Sequence, residues 1–278
     1  GAGPLADAFF VAFRIPNTFR RLFAEGTFNA AFIPSYTTEK IKGKNQGKRF
    51  ADEVLTLLTL GLLTIVFIVE IFAPYVVYLI APGFIIDNEK FNLAVEFTRV
   101  TFPFLAFVSL SSFFAGILNS ENKFAAAASA PIFLNLILIL SLFLSYYFEL
   151  DYALNLSYGV SLSGLIQLIF LIFFAKKYYR PSFVLKKKIR NKVKFFFKKL
   201  LPSIFSSGVT QINILIGTII ASFQASAVSY LYYADRVYQI NLAIAGIAIG
   251  TVILPQLSKY VDNKDNEKII FIQNKALE

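Results

Sequence analysis

Apolar and polar residues alternate along this chain in long blocks. The apolar runs are each about 20 residues long, enough to cross a hydrocarbon core of about 30 Å as a helix, and short polar segments separate them. These runs lie at residues 7–34, 54–80, 94–118, 131–148, 153–174, 200–223 and 228–257. The pattern predicts an all-α polytopic transmembrane helical bundle of about seven spans, followed by the start of another helix.

The composition supports a membrane protein and narrows its chemistry. Hydrophobic residues make up 56% of the chain, charged residues make up 16%, and the mean hydropathy is +0.63. A soluble domain of this composition could not cover its surface with polar groups. The chain contains no Cys and no His, so thiolate chemistry, histidine metal ligands and histidine proton shuttles are excluded. We therefore predict no catalytic residue, no metal site and no cofactor.

The distribution of Lys and Arg sets the orientation of the spans, because positively charged loops remain on the cytoplasmic side. These residues concentrate after the first span, in the tail and most densely at 176–199, with Lys123 after the third span, whereas the intervening loops hold only Lys90. The first span is therefore predicted to run from outside to inside. The net charge of +10 belongs to these loops, and without an RNA- or DNA-binding motif beside it we predict no nucleic-acid partner.

The basic segment divides the chain into three predicted parts. These are an N-terminal lobe at 1–175, a basic amphipathic cytoplasmic linker at 176–199 and the start of a C-terminal lobe at 200–278. Within 186–205, apolar residues recur at helical spacing and lysines fill the other face, as in a helix lying on an anionic leaflet. We interpret the segment as a membrane-surface linker that contacts anionic lipids. A specific lipid-headgroup site is the alternative.

The first span carries ionisable side chains on one face. On an ideal helix, Arg14, Thr18, Arg21 and Glu25 all lie within about 40° of Asp7 and form one stripe with it. Arg20 points about 140° away from Asp7, so it lies off this stripe unless Pro16 or Gly26 distorts the helix.

The depth of the arginine pair in the bilayer indicates the role of the helix that carries the stripe. A rise of about 1.5 Å per residue places Arg20 and Arg21 near mid-membrane. An uncompensated arginine there costs at least about 2.5 to 3.5 kcal/mol, and such residues usually face a bundle interior or a water-filled cavity. The stripe therefore predicts a helix that lines a cavity. The alternative is a shorter helix whose arginines extend to the cytoplasmic interface.

The seventh span repeats this arrangement. Asp235 and Arg236 lie at its outer end, and small residues follow them. Small residues are typical of close helix packing, so only this charged pair is a site candidate. The ends of the two spans, "FIPSYTTEK" (32–40) and "ILPQLSK" (253–259), are also alike. Both observations favour equivalent helices of a parallel repeat, with a substrate site between the halves.

The same segments resemble a known family. "ADAFFVAFRIPNTFRRLFAEGTFNAAFIPSY" (6–36) closely resembles the signature of the MurJ (MviN) family of lipid II flippases. Four further segments are similar to that family in the same order: "APGF" (81–84), "TFPFL" (101–105), "AGILNSENKF" (115–124), and "YYADRVYQ" to "GTVILPQLSK" (232–259).

The resemblance covers essentially the whole chain and implies a fold. That fold is two six-helix lobes of the multidrug/oligosaccharidyl-lipid/polysaccharide exporter superfamily, plus two further helices. The seven predicted spans would be the second to eighth helices. We therefore expect the chain to be an internal piece of a longer protein, without most of the first helix and everything after the eighth.

The resemblance also implies a function. It predicts a monomeric, multi-pass transporter of the bacterial inner membrane that moves lipid II from the inner to the outer leaflet by alternating access. Coupling to sodium or to the membrane potential remains open. Site residues carry over from the family as substrate-binding Arg14, Arg20, Arg21, Glu25 and Arg236, and as gate or cavity charges Asp7 and Asp235.

Three alternatives belong to other functional classes. Another exporter of the superfamily, for polysaccharide lipids or for drugs, is the nearest, although a cationic drug favours intramembrane acids over paired arginines. A membrane enzyme acting on polyprenyl phosphates would normally show clustered acids for Mg²⁺ or a catalytic His. A purely structural scaffold gives no reason to keep Arg21 and Arg236 within the bilayer.

Overall fold

The structure is a computed structural model that describes residues 1–22, 28–184 and 190–241 and six positions between 260 and 274. Its helices are α1 (Pro4–Leu22), α2 (Phe28–Ile41), α3 (Lys44–Ile80), a 3₁₀ turn (Pro82–Ile86), α4 (Asn88–Thr101), α5 (Pro103–Ser120), α6 (Phe124–Ser129), α7 (Ile132–Phe148), α8 (Tyr152–Ala175), α9 (Asn191–Ala221) and α10 (Ala227–Asn241). The predicted all-helical, multi-span membrane fold is confirmed.

Four described helical segments are long and apolar enough to cross a membrane. They are Lys44–Ile80, Asn88–Ser120, Phe124–Phe148 and Tyr152–Ala175. Each contains one of the predicted spans from the second to the fifth. On α3 and α7 large apolar side chains such as Phe67, Ile139 and Phe143 are exposed, as expected of surfaces that contact lipid.

The first, sixth and seventh predicted spans do not each correspond to one whole helix. The first span becomes α1 and α2, and residues 23–27 between them lie outside the described part of the chain. The sixth span is the second half of α9. The seventh begins as α10, and the part of it from 242 to 257 lies outside the described residues.

A proline kink shapes α3. Phe72 has non-helical backbone angles (φ −100°, ψ 20°) two residues before Pro74. Proline has no N–H to donate to the carbonyl four residues earlier, which belongs to Glu70. That carbonyl instead accepts a hydrogen bond of 3.3 Å from Arg99 Nε on α4. Arg99 thus satisfies a backbone group that the proline leaves open.

Two apolar cores fill the first of two compact units, residues 1–228 and 229–278. One core, around Phe9, Phe13, Phe84 and Phe104, lies at the end predicted to be outer. The other lies at the Lys-rich end, which we call the cytoplasmic end according to the predicted orientation. The predicted lobe boundaries at 175 and 200 stay a prediction.

The described part of the amphipathic linker packs differently from the expectation. Val193, Phe196 and Leu200, which lie on its apolar face, are buried at the start of α9. The ring of Phe196 lies 5.8 Å from that of Phe28 and 6.0 Å from that of Phe50, centroid to centroid. The apolar face therefore packs on the protein, whereas the sequence pattern suggested a leaflet surface.

Candidate functional site

The charged helix α1 lies inside the bundle. It packs against α3, α4, α5, α8 and α9, and most of its side chains from Asp7 to Thr18 are buried. Thr101 Oγ1 donates a hydrogen bond of 3.2 Å to the carbonyl of Ala12, which attaches the end of α4 to the middle of α1. The described part of the polar stripe therefore faces other helices of the bundle, and its role in lining a cavity stays a prediction.

Asp7 forms a buried ion pair at the outer end of this helix. Its side chain is fully buried, and its Oδ2 accepts a hydrogen bond of 2.6 Å from Lys90 Nζ. The Lys90 ammonium also lies 4.0 Å from the ring centroid of Phe84. Sequence reasoning missed Lys90 as a partner. The available signal was that Lys90 is the lone lysine of the predicted outer loops.

Arg14 and Arg21 lie on the same α-helix as Asp7, which runs without interruption through Pro16. Arg14 is only 5% exposed, although it is a charged residue, and Arg21 is half-buried near the end of α1. Glu25, the last member of the predicted stripe, lies outside the described residues.

Arg20 points along its own helix. Its Nε donates a hydrogen bond of 3.0 Å to Oδ1 of Asn17, three residues earlier. Asn17 is itself buried, so this bond gives the half-buried Arg20 guanidinium a fixed neighbour. The helix continues through Pro16, so the difference in direction between Arg20 and the stripe persists.

Asp235 and Arg236 belong to the second compact unit and lie on α10. Arg236 Nη2 donates a hydrogen bond of 2.7 Å to Tyr232 Oη, and the guanidinium carbon lies 5.1 Å from the centroid of that ring. Asp235 accepts a hydrogen bond of 2.7 Å from Gln239 Nε2. Both contacts join residues one helical turn apart, and Arg236 remains exposed within its unit.

A second set of charged contacts lies at the cytoplasmic end and was not predicted. Buried Asp52 on α3 accepts hydrogen bonds from Tyr179 Oη at 2.7 Å, from the Ser182 amide at 3.0 Å and from Lys48 Nζ at 2.7 Å. Burial, together with the neighbouring Asp52 carboxylate, raises the pKa of Tyr179 well above its usual range. The segment that follows α8 is thereby attached to α3.

Glu39 and Glu53 attach the start of α9 in a similar way. Glu39 accepts hydrogen bonds from Lys192 at 2.5 Å and from Lys42 at 2.9 Å, and Arg190 Nε lies 2.8 Å from Glu53 Oε1. The sequence showed these lysines and arginines only as loop charge. The partners of Lys192 and Arg190 lie far from them along the chain, so no local spacing reveals these two pairs, whereas Lys42 lies only three residues from Glu39.

Comparison with known proteins agrees with the geometry. The family described as Lipid II flippase MurJ matches residues 1–278. The chain is 42% identical to the "Probable lipid II flippase MurJ" of Rhizobium tropici over 284 residues, which covers 100% of this chain and 53% of that protein. The chain spans about half the length of the curated relatives that it matches.

Two solved structures are similar in fold. "Lipid II flippase MurJ, inward closed conformation" superposes with a TM-score of 0.84 at 25% identity, covering 100% of this chain and 56% of that one. A MOP superfamily transporter from Pyrococcus furiosus superposes with a TM-score of 0.60 at 17% identity, covering 98% and 60%. The second likeness concerns the fold alone.

Proposed function

The chain belongs to the Lipid II flippase MurJ family of multi-pass bacterial membrane proteins, and on that premise we propose that this protein moves lipid II from the inner to the outer leaflet by alternating access. The observation that carries the proposal is the burial of the charged helix α1 inside an apolar bundle. A protein with this function is a transporter and catalyses no covalent reaction.

Arginines on α1 suit the anionic part of this substrate. Lipid II carries a pyrophosphate, and the planar guanidinium group binds phosphate oxygens through two parallel hydrogen bonds. Arg14, Arg20 and Arg21 lie within two turns of one helix. We assign these three arginines to the pyrophosphate. Glu25 and, on α10 of the second unit, Arg236 and Asp235 keep the substrate-binding and cavity-charge roles that the family resemblance implies for them.

The Asp7–Lys90 pair supports a gate at the outer end. It joins α1 to α4 through two buried side chains, so any opening between these helices must separate the two charges. Separation leaves two desolvated ions unless water enters with the movement. In this proposal the pair stabilises the form that is closed to the outside. When that end opens, each of the two charges exchanges its partner for water.

The linker lysines support contact with anionic lipids. Lys194 and Lys198 are exposed on the first turns of α9, beside the exposed ring of Phe195. Lysines near the surface of an anionic leaflet contribute about 1 kcal/mol each. The proposed lipid contact therefore rests on this outer face, because the apolar face packs on the protein.

Complementation tests the function. A bacterium depleted of its own flippase receives the full-length gene carrying this chain, and the lipid II that becomes accessible at the outer surface is measured. We expect export with the unchanged chain, and a loss of about ten- to a hundredfold with Arg21→Ala or Arg236→Ala if each arginine makes charged hydrogen bonds to the substrate.

Arg49→Ala is the matched control, because Arg49 is an exposed arginine at the cytoplasmic end of α3. It removes the same charge from outside the proposed site, and equal amounts of each variant in the membrane are verified first. Wild-type export by both site variants would disprove the phosphate-binding role. No export by the unchanged chain would disprove the function.

A further inference from the structure

A basic pocket of about 650 Å³ lies at the cytoplasmic end of the first unit. Six cationic side chains line it: Lys40, Lys44, Lys48, Lys176, Lys177 and Arg180. Glu121 is the carboxylate among its described lining residues. The walls come from α2, the start of α3, the end of α5 and the segment that follows α8, so the pocket is separate from the charged stripe of α1.

Much of this positive charge is not balanced. Lys40 pairs with Glu121, and Lys48 pairs with Asp52. Within the described ranges, Lys44, Lys177 and Arg180 form no ion pair with a carboxylate, and Lys176 lies over the Phe173 ring at 4.0 Å from its centroid. A concave site with this surplus attracts anions more strongly than a flat surface does, because its low-dielectric walls focus the field.

The beginning of α3 adds backbone donors to the same place. Lys44 and Asn45, the first two residues of this 37-residue helix, line the pocket. The residue before them, Gly43, has no side chain that could cap the helix. The first amide groups of a helix have no acceptor within the helix, and its dipole is positive at this end. Phosphate groups bind readily at such ends. The lysines and the helix terminus therefore favour the same kind of ligand.

The pocket is held in shape by buried contacts. Tyr179, one of its lining residues, donates its 2.7 Å hydrogen bond to Asp52, and the Ser182 amide donates to the same carboxylate. These bonds fix the segment carrying Lys176, Lys177 and Arg180 against α3. A backbone segment that is already in place loses little freedom on binding, which increases affinity without further contacts.

We propose that this pocket binds a phosphate-bearing anion at the cytoplasmic end of the protein. Its volume lies within the range of about 300–1,000 Å³ that is usual for small-molecule sites. The ligand is therefore larger than a single phosphate ion and carries more than one negative group or a polar body. Two sources share this chemistry: the headgroup of an anionic phospholipid, and a soluble phosphate ester or pyrophosphate.

The test uses the full-length protein in nanodiscs and two probes. Inorganic pyrophosphate is titrated in discs of phosphatidylcholine alone, and thermal stability is compared with discs containing equal amounts of phosphatidylglycerol and phosphatidylcholine. The pocket variant is Lys44→Gln with Arg180→Gln. The matched control is Lys123→Gln with Arg49→Gln, which removes one exposed lysine and one exposed arginine elsewhere.

The unchanged protein is expected to be stabilised by one or both probes. The pocket variant should weaken that effect by at least about tenfold in the apparent Kd of pyrophosphate, or abolish the shift given by phosphatidylglycerol. The control should remain close to wild type. Response to pyrophosphate alone indicates a soluble ligand, response to phosphatidylglycerol alone indicates a lipid headgroup, and response to both indicates that either is accepted.

Two results overturn the proposal. One is the lack of any response of the unchanged protein to both probes. The other is an equal loss in the pocket variant and in the control, which reports net charge rather than a site.

Discussion

Lys90 donates a hydrogen bond of 2.6 Å to Asp7, and this bond joins the first turn of α4 to the first turn of α1 through two buried side chains. The two residues are 83 positions apart in sequence. Removing one partner of a buried ion pair leaves the other charge uncompensated, at a cost of about 3–5 kcal/mol.

Asp7→Asn and Lys90→Gln should therefore each lower the thermal midpoint of the purified full-length protein. The exchange Asp7→Lys with Lys90→Asp should recover part of the loss, because the attraction does not depend on which helix carries which charge. Thermal unfolding in detergent measures both effects. Equal midpoints for wild type and both single variants would show that the pair does not stabilise the closed outer end.

Tyr179→Phe should destabilise the cytoplasmic end. The substitution removes a buried hydrogen bond to Asp52 and keeps the ring, so we expect a loss of about 1–3 kcal/mol in the free energy of unfolding. Tyr178→Phe is the control, because among the described residues Tyr178 has no side-chain hydrogen bond. A Tyr179 variant as stable as this control would contradict the role of Tyr179.

Glu39 should make the thermal stability of the protein depend on pH in the acid range. Burial raises the pKa of its carboxyl, but the hydrogen bonds from Lys192 and Lys42 lower it by more, so the folded-state pKa lies below the ordinary value. A depressed pKa contributes stability above the unfolded value, which is lost as the pH falls through the folded value. Glu39→Gln should therefore flatten the decline of the thermal midpoint below about pH 5.

Glu149→Gln provides the comparison for this measurement, since Glu149 is exposed at the end of α7. Its pH profile should follow that of the wild type. Identical profiles for Glu39→Gln and wild type would mean that the Lys192 and Lys42 contacts do not stabilise the protein.

Gly83→Ala should disturb the contact between the 3₁₀ turn and the end of α9. A Cβ at position 83 would lie 2.4 Å from the carbonyl oxygen of Ser222, and the Gly83 amide donates a hydrogen bond of 3.0 Å to the Ser222 hydroxyl. The backbone must move, so we expect a loss of about 1–3 kcal/mol in thermal unfolding. Gly61→Ala, with no atom within 4 Å, should be neutral or stabilising. Equal stability of the two variants would disprove the close contact.

The second to fifth spans could be predicted from sequence, because length and apolar content suffice for a helix that crosses a bilayer. The inward direction of the α1 stripe also followed from helical periodicity and the cost of charge in lipid. Sequence could not supply Lys90 for Asp7 or Tyr179 for Asp52, since these pairs are 83 and 127 residues apart. Neither could it show that Phe196 packs on protein, because an apolar face is equally suited to lipid and to aromatic rings.

α3 has more residues than a crossing of the bilayer requires. A helix of 37 residues is about 55 Å long, which exceeds a hydrocarbon core of about 30 Å by several turns. With the predicted orientation, we expect the excess at the Lys44 end to place Lys48 and Asp52 in the aqueous phase, together with the segments attached to them. We therefore expect water-soluble molecules to reach this end of α3 without entering the membrane.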